Sequence, residues 1–132
     1  MGAWGSGPFQ NDSALDFVYE IQGTADLLRE FDWAAQDYIE VDEASSIVVA
    51  AECVAAMAGY PHSGLPDELA QLIATFPSPD SALIRKAASA QAATAAASEL
   101  AELWAEGETD EHTASFRTEM EGLADRLAKA AS

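Results

Sequence analysis

The chain has 132 residues, of which 23 are acidic and 6 basic, and its formal net charge at pH 7 is −17. This length fits a single domain, and an apolar content of 49% predicts a packed core and argues against disorder. The charge argues against direct binding of nucleic acid, because phosphate contacts need a patch of Lys and Arg, and residues 1–84 contain only Arg29 as a base.

The opening residues 1–11 predict a shaped loop, because they combine several glycines, which permit positive φ, with a proline, which fixes φ. A first helix is expected at about 12–30, with Asn11 and Asp12 as N-caps. Gly23 is the position where this helix would break. Its predicted buried face repeats at helical spacing and consists of Ala14, Val18, Ile21, Ala25 and Leu28.

The segment 31–41 fits either a short extended piece or a helical turn. For 42–58, the β-branched residues around Val48 favour a strand. Its length, its alanines and the closing Gly59-Tyr60-Pro61 instead favour a helix with a glycine C-cap. Because this helix is apolar almost all round, we place it at the centre of the domain.

Three further helices are predicted, at 67–76, 80–106 and 110–130. The second would be about 40 Å long at 1.5 Å per residue, which favours a kink or a break near 90–94. The third places Phe116, Met120, Leu123 and Leu127 on one face. We therefore predict an all-α fold in which 1–132 form one domain, a compact bundle of five to six helices preceded by an ordered glycine-rich loop.

Membrane-spanning and secretory segments are not recognisable in the sequence. No stretch approaches the about 20 apolar residues that cross a bilayer, and the first residues lack the charged and apolar regions of a signal peptide. Cys53 is the single cysteine, so an internal disulfide is excluded, and its apolar surroundings predict a buried, unreactive thiol. We expect a cytoplasmic protein without membrane contact.

Most of the excess of acidic over basic residues lies in residues 1–84, which contain 14 acidic residues and one basic residue. A negative surface of this kind speeds association with a basic protein, and neighbouring aromatic side chains supply contact area. A solvated face that keeps the protein soluble produces the same pattern. Our leading hypothesis is a non-enzymatic inhibitor or immunity-type protein that masks a basic partner surface through Asp37, Glu40, Asp42, Glu43, Trp33 and Tyr38.

Glu52 is the only charged residue between Ile47 and Ala58. A carboxylate buried in such a stretch must be paired, hydrogen-bonded or neutralised. Since cations are scarce, we expect its donor to be a backbone amide of the N-terminal loop, the Trp4 indole or a hydroxyl, with a metal or catalytic role and simple exposure as alternatives. Glu99 is a second polar helix residue that such donors could reach.

Recognised catalytic motifs are missing from the sequence. There is no G-x-S-x-G elbow, and the glycines near Gly5 do not complete a dinucleotide fingerprint, because position 10 is Gln10. Neither His62 nor His112 has a Glu three residues before it, as the di-metal helical motif requires, and both are predicted at the surface. We therefore predict no catalytic residue, no metal ligand and no cofactor.

Two other functions remain open at this stage. One is a metal-dependent enzyme such as a hydrolase, in which helical carboxylates converge on a divalent ion. The other is an accessory domain that forms a homodimer through its alanine-rich helix. The carboxylates expected in the first case are Asp12, Asp16, Glu52 and Glu99.

The segment from Met1 to Phe17 resembles the start of a bacterial family, the domain of unknown function 4259 family, whose members open with a pattern close to MGxWGxGxFxNDxAxDF. Looser similarity extends over 50–54, 98–104 and 123–127. Gln10 departs from the Asp expected there, so no role is carried over to that position. The resemblance implies a small, mostly helical domain and no established activity.

The matched opening residues are expected to act as a structural clasp, in which aromatic side chains insert into the bundle, glycines permit the turn and polar residues cap the first helix. A binding site on a rigid scaffold is the alternative. The residues concerned are Trp4, Gly5, Gly7, Phe9, Asn11 and Asp12.

Overall fold

A computed structural model describes residues 12–35, 39–97 and 110–131. Within these ranges the chain is helical, which confirms the all-α prediction. The predicted loop over 1–11, with Trp4, Gly5, Gly7, Phe9 and Asn11, lies outside the described residues. The elements are α1 (Asp12–Glu20), α2 (Thr24–Phe31), a 3-10 helix (Asp32–Ala35), α3 (Val41–Met57), α4 (Asp67–Ile73), α5 (Ser81–Ala97) and α6 (Asp110–Ala131).

Helix α3 forms the centre of the bundle and packs against α1, α2, α5 and α6. Every side chain from Ile47 to Ala55 is buried, as expected for a helix that is apolar all round. The prediction of a central helix is confirmed, and its limits, Val41–Met57, are within a residue of those expected.

The end of α3 is set by Gly59, whose φ of +99° is a conformation that only glycine adopts without cost. The Tyr60 amide donates to the Ala55 carbonyl at 2.8 Å, and the Gly59 amide donates to Ala56 at 3.0 Å. This pair of bonds is the Schellman motif. The predicted glycine C-cap is therefore confirmed, and it directs the following loop across the end of the helix.

The single first helix predicted at 12–30 is two helices, separated at Gly23. The amides of Gln22 and Gly23 donate to one carboxylate oxygen of Asp26, at 2.8 and 3.1 Å, which caps the new helix. These bonds, led by the one from Gln22, lower the pKa of Asp26 despite some burial. The predicted break at Gly23 is thus where α2 begins.

This restart changes which face of the chain is buried. Leu27 and Phe31 are buried and lie one turn apart on α2. Leu28, predicted on the buried face, is 38% exposed, and Ala25 is exposed. The prediction was wrong for these two residues because it applied one continuous helical repeat to residues 12–30. The second helix starts anew after Gly23, so a different set of its positions faces the core.

The later helices differ from the prediction at their ends and in one interior. The ambiguous segment 31–41 contains the 3-10 helix, and α4 stops at Ile73. Helix α5 continues through 90–94 to Ala97, so the prediction of a break there is wrong, whereas the alternative of a kink stays a prediction. The buried Thr94 hydroxyl donates to the Ala90 carbonyl at 2.8 Å, which satisfies it inside a continuous helix.

Helix α6 closes the bundle against α3 and α5. Met120, Leu123 and Leu127 are buried, as the predicted apolar face requires, and the side chain of Phe116 lies outside the described residues. Among the helices that the structure describes, none combines the length and the apolarity needed to cross a membrane.

Candidate functional site

The most distinctive polar feature of the bundle is a salt bridge between α3 and α6. Glu52 lies within the buried stretch of α3 and is 1% exposed. Arg126 lies between the buried Leu123 and Leu127 on α6, and it donates to both carboxylate oxygens of Glu52, at 2.5 and 3.1 Å. The charge of the carboxylate is therefore matched by a bidentate cation.

This pairing differs from the donor that the sequence led us to expect. Loop amides, the Trp4 indole and hydroxyls were the predicted partners of Glu52, because cations are scarce. A guanidinium supplied by α6 takes that place. In the described part of the chain, no buried side-chain nitrogen or oxygen lacks a hydrogen-bond partner.

A second pair joins the loop after α3 to α6. The Gly59 cap turns the chain so that His62 faces Glu119, with His62 Nε2 and Glu119 Oε2 separated by 2.6 Å. The two side chains are 17% and 28% exposed. Arg126 also approaches the Tyr60 carbonyl, at 3.4 Å. His62 is therefore partly buried and not fully exposed at the surface as predicted, and the side chain of His112 lies outside the described residues.

The backbone of the same loop sets the tautomer of His62. The Gly64 amide donates to His62 Nδ1 at 2.7 Å, so Nδ1 carries the lone pair and Nε2–H donates to Glu119. A Cβ atom at position 64 would lie 3.2 Å from Nδ1, which explains why glycine suits this close approach.

We call Glu52, His62, Glu119 and Arg126 the buried ionic cluster, after the buried Glu52, and the other three side chains are partly exposed. The potential ligand atoms of its two glutamates and its histidine all lie within 4.8 Å of one another. Three elements, α3, the following loop and α6, each bring one of these groups. Two carboxylates and an imidazole around a common point form a set that binds cations, and Arg126 supplies one cationic group.

The carboxylates predicted as metal ligands are placed differently. Of the predicted carboxylates that the structure describes, Glu52 is the one that belongs to this cluster. Asp16 is exposed on α1, whereas Glu99 and the side chain of Asp12 lie outside the described residues. Sequence reasoning missed His62, Glu119 and Arg126, although the seven-residue spacing of Glu119 and Arg126 places both beside the apolar face of α6.

A second feature is an acidic face at the junction of α1, α2 and α3, where the carboxylates of Glu20 and Glu43 lie close enough to Glu30 to act on it. Glu40 precedes Glu43 by three residues, at the start of α3. Burial raises the pKa of Glu30, and the carboxylates of Glu20, Glu43 and Asp26 add to the rise against the opposing effect of Arg29. Arg29 itself pairs with Asp26 at 2.9 Å. Several like charges therefore meet around Glu30, with Arg29 as the cation that partly offsets them.

The predicted partner-binding residues are only partly described. Glu40 is exposed, Glu43 is half-buried and Trp33 is 40% exposed. Asp37 and Tyr38 lie outside the described residues. Asp42 belongs to α3, and its side chain is not among those described.

Cys53, next to Glu52 on α3, is buried and forms no disulfide. Burial, with a smaller contribution from the Glu52 carboxylate, raises the pKa of its thiol from 9.0 to about 12. The thiol is therefore protonated at physiological pH, as expected for an unreactive core cysteine.

Together these features define a small all-α domain with a central apolar helix, a buried ionic cluster and a separate acidic face. The family model for a domain of unknown function (DUF4259) matches residues 2–115, and the chain belongs to this family. Glu119 and Arg126 lie beyond the matched residues. No curated protein and no solved structure matches this chain.

Proposed function

We propose that this protein binds a protein partner with a basic surface, through the acidic face at the junction of α1, α2 and α3. The observation that carries the proposal is the grouping of Glu20, Glu43 and Asp26 around Glu30, where burial raises the pKa of Glu30 and these carboxylates add to the rise against the opposing charge of Arg29. Packing like charges at one place costs folding energy, and a cationic partner relieves that cost on binding.

The distribution of cations supports the proposal. The chain has 6 basic residues against 23 acidic ones. Salt bridges between described residues join Arg29 to Asp26, Lys86 to Asp32, and Arg126 to Glu52. Intramolecular pairing therefore leaves most of the negative charge for a partner to neutralise.

An exposed aromatic side chain adds a second type of contact. Trp33 is 40% exposed and lies on the 3-10 helix that directly follows α2. Tryptophan is enriched among the residues that dominate binding energy. Rim carboxylates that steer association around an aromatic anchor are the arrangement expected of an inhibitor or immunity-type protein.

The test compares two variants of equal net charge against a partner captured from the host at low salt. Glu40→Lys with Glu43→Lys reverses charge on the acidic face, whereas Glu68→Lys with Glu121→Lys reverses it on α4 and α6. We expect the first variant to lower the association rate at least about tenfold at low salt, and the second to change it far less.

Stopped-flow or surface-resonance kinetics over a range of salt concentrations would measure these rates. Equal effects of the two variants would mean that only net charge matters, and the assignment of the acidic face would be wrong. A partner without a basic surface would overturn the proposal itself.

A further inference from the structure

We infer that the buried ionic cluster is a binding site for a divalent transition-metal ion, with Glu52, His62 and Glu119 as the ligands. Their ligand atoms lie within 4.8 Å of one another. In a tetrahedral zinc site, bonds of about 2.0–2.2 Å place ligand atoms roughly 3.3–3.6 Å apart. The side chains therefore need only small shifts to surround an ion, together with a change in the tautomer of His62, and water would take the remaining position.

The types of ligand select the class of metal. An imidazole nitrogen with two carboxylates suits zinc and its neighbours, whereas magnesium and calcium prefer oxygen ligands alone. All three ligands are partly or fully withdrawn from solvent, with Glu52 1% exposed. The three ligands come from α3, from the loop after α3 and from α6. Binding of an ion would therefore stabilise the packing of these three elements.

Arg126 does not have to leave for the ion to bind. Each carboxylate oxygen has two lone pairs, and the guanidinium takes one on each oxygen of Glu52. A second lone pair on either oxygen remains for the metal. With two glutamates, one arginine and a divalent ion, the net charge of the loaded site is +1, against −1 without the ion when His62 is neutral.

His62 must change tautomer for its Nε2 to become a ligand, since Nε2 now carries the proton. Nδ1 would then carry it, and the Gly64 amide that donates to Nδ1 would have to turn away. The β-turn that follows His62 permits that change. The Leu65 amide donates to the His62 carbonyl at 3.2 Å, so Ser63 and Gly64 are the two central residues of a β-turn.

The present turn is not of type II, because Gly59 is the only glycine with a positive φ in the described chain. Rotating the central peptide of a β-turn converts type I to type II, and type II requires a positive φ at the third residue, which glycine accepts. That residue is Gly64. After the rotation, the Ser63 carbonyl faces the His62 ring in place of the Gly64 N–H. This carbonyl can accept a hydrogen bond from the protonated Nδ1.

Zinc titration of the full chain, freed of metal with a chelator, tests the inference by calorimetry and thermal unfolding. We expect one ion per chain and a raised melting temperature. Glu119→Gln should weaken binding at least about tenfold, while its amide oxygen still accepts the His62 proton and preserves the fold. His62→Gln should weaken it similarly, and unfolding without metal would verify that each variant folds.

Two matched controls locate the site. Glu121→Gln removes an exposed carboxylate from the same helix, and His112→Gln removes the only other histidine; both should bind zinc as the wild type does. Cobalt should give the visible absorption bands of a low-coordinate site in the wild type and in both controls. Nitrogen-15 NMR should show His62 changing from the Nε2–H to the Nδ1–H tautomer on saturation with zinc.

Several results would overturn the inference. They are the absence of binding to the wild type, unchanged binding by Glu119→Gln or His62→Gln, or loss of binding in either control. A His62 ring that keeps its Nε2 proton at saturation would also overturn it. None of these outcomes bears on the acidic face, so the proposed partner binding is tested separately.

Discussion

Arg126 and Glu52 are 74 positions apart in the sequence, yet the guanidinium contacts both oxygens of the carboxylate, at 2.5 and 3.1 Å. The pair crosses the interface between α3 and α6 at a point where the carboxylate is 1% exposed. Because a buried charge is costly unless it is paired, these two residues depend on each other.

Replacing Arg126 with methionine should therefore destabilise the fold strongly. The change leaves Glu52 buried and unpaired, and we expect a loss of about 3–5 kcal/mol in the free energy of unfolding. Chemical denaturation at neutral pH would measure it. The double variant Glu52→Leu with Arg126→Met should recover most of the loss, while Arg85→Met, at an exposed position of α5, should change little. Failure of the double variant to recover stability would contradict this account.

The sequence predicts α3 well and its partner poorly, and the difference has a physical cause. Burial around Glu52 follows from local periodicity, and the cap at Gly59 follows from local backbone geometry. The partnership with Arg126 is a matter of tertiary packing and leaves no local trace. His62 was misplaced for the same reason: a histidine in a loop of proline and glycine reads as exposed until the loop is known to fold against Glu119.

Gly59 provides a second test, because its φ of +99° is a conformation that other residues adopt only at a cost. Gly59→Ala should destabilise the protein by about 1–2 kcal/mol. Gly122→Ala is the matched control, since a Cβ atom added to this helical glycine would meet no other atom within 4 Å. It should stabilise the protein by about 0.5–1 kcal/mol. Thermal unfolding of both variants would decide, and equal effects would refute the role assigned to the cap.

Glu30 should make stability depend on pH in an unusual direction. The pKa of Glu30 in the folded protein is raised above the ordinary value of 4.5. As the pH rises, the Glu30 carboxyl therefore loses its proton more easily in the unfolded state, and this ionisation lowers the stability of the folded state. Glu30→Gln should be more stable than the wild type at pH 7, by less than about 1 kcal/mol because the side chain is partly solvated. The advantage should vanish below the ordinary pKa, where both states are protonated.

Asp26 is the matched control for Glu30, because its pKa is lowered from 3.8. The Asp26 carboxylate stabilises the folded state fully above pH 3.8. This stabilisation is lost as the pH falls through the lower pKa that Asp26 has in the folded state. Asp26→Asn should therefore be less stable than the wild type at pH 7, and the deficit should shrink in acid. Urea unfolding between pH 3 and pH 7 would show both trends, and trends of the same sign would be inconsistent with these environments.

Cys53 should resist alkylation in the folded protein. With a pKa of about 12 and a buried thiol, the reaction at pH 8 should be at least about a hundredfold slower than in denaturant, where the thiolate is accessible. Iodoacetamide labelling followed by mass spectrometry would measure both rates. Rapid labelling under native conditions would show that α3 is not buried as described.

The long separation between Glu52 and Arg126 also has a consequence for the order of events during synthesis. Proteins are made from the N-terminus onward, so Glu52 leaves the ribosome 74 residues before Arg126, the cation that pairs with it. Until then Glu52 keeps its water, and the helices that surround α3 cannot complete a dry interior. Final consolidation therefore waits for α6, so the nascent bundle is open to chaperones, to proteases and to solvent ions in the meantime.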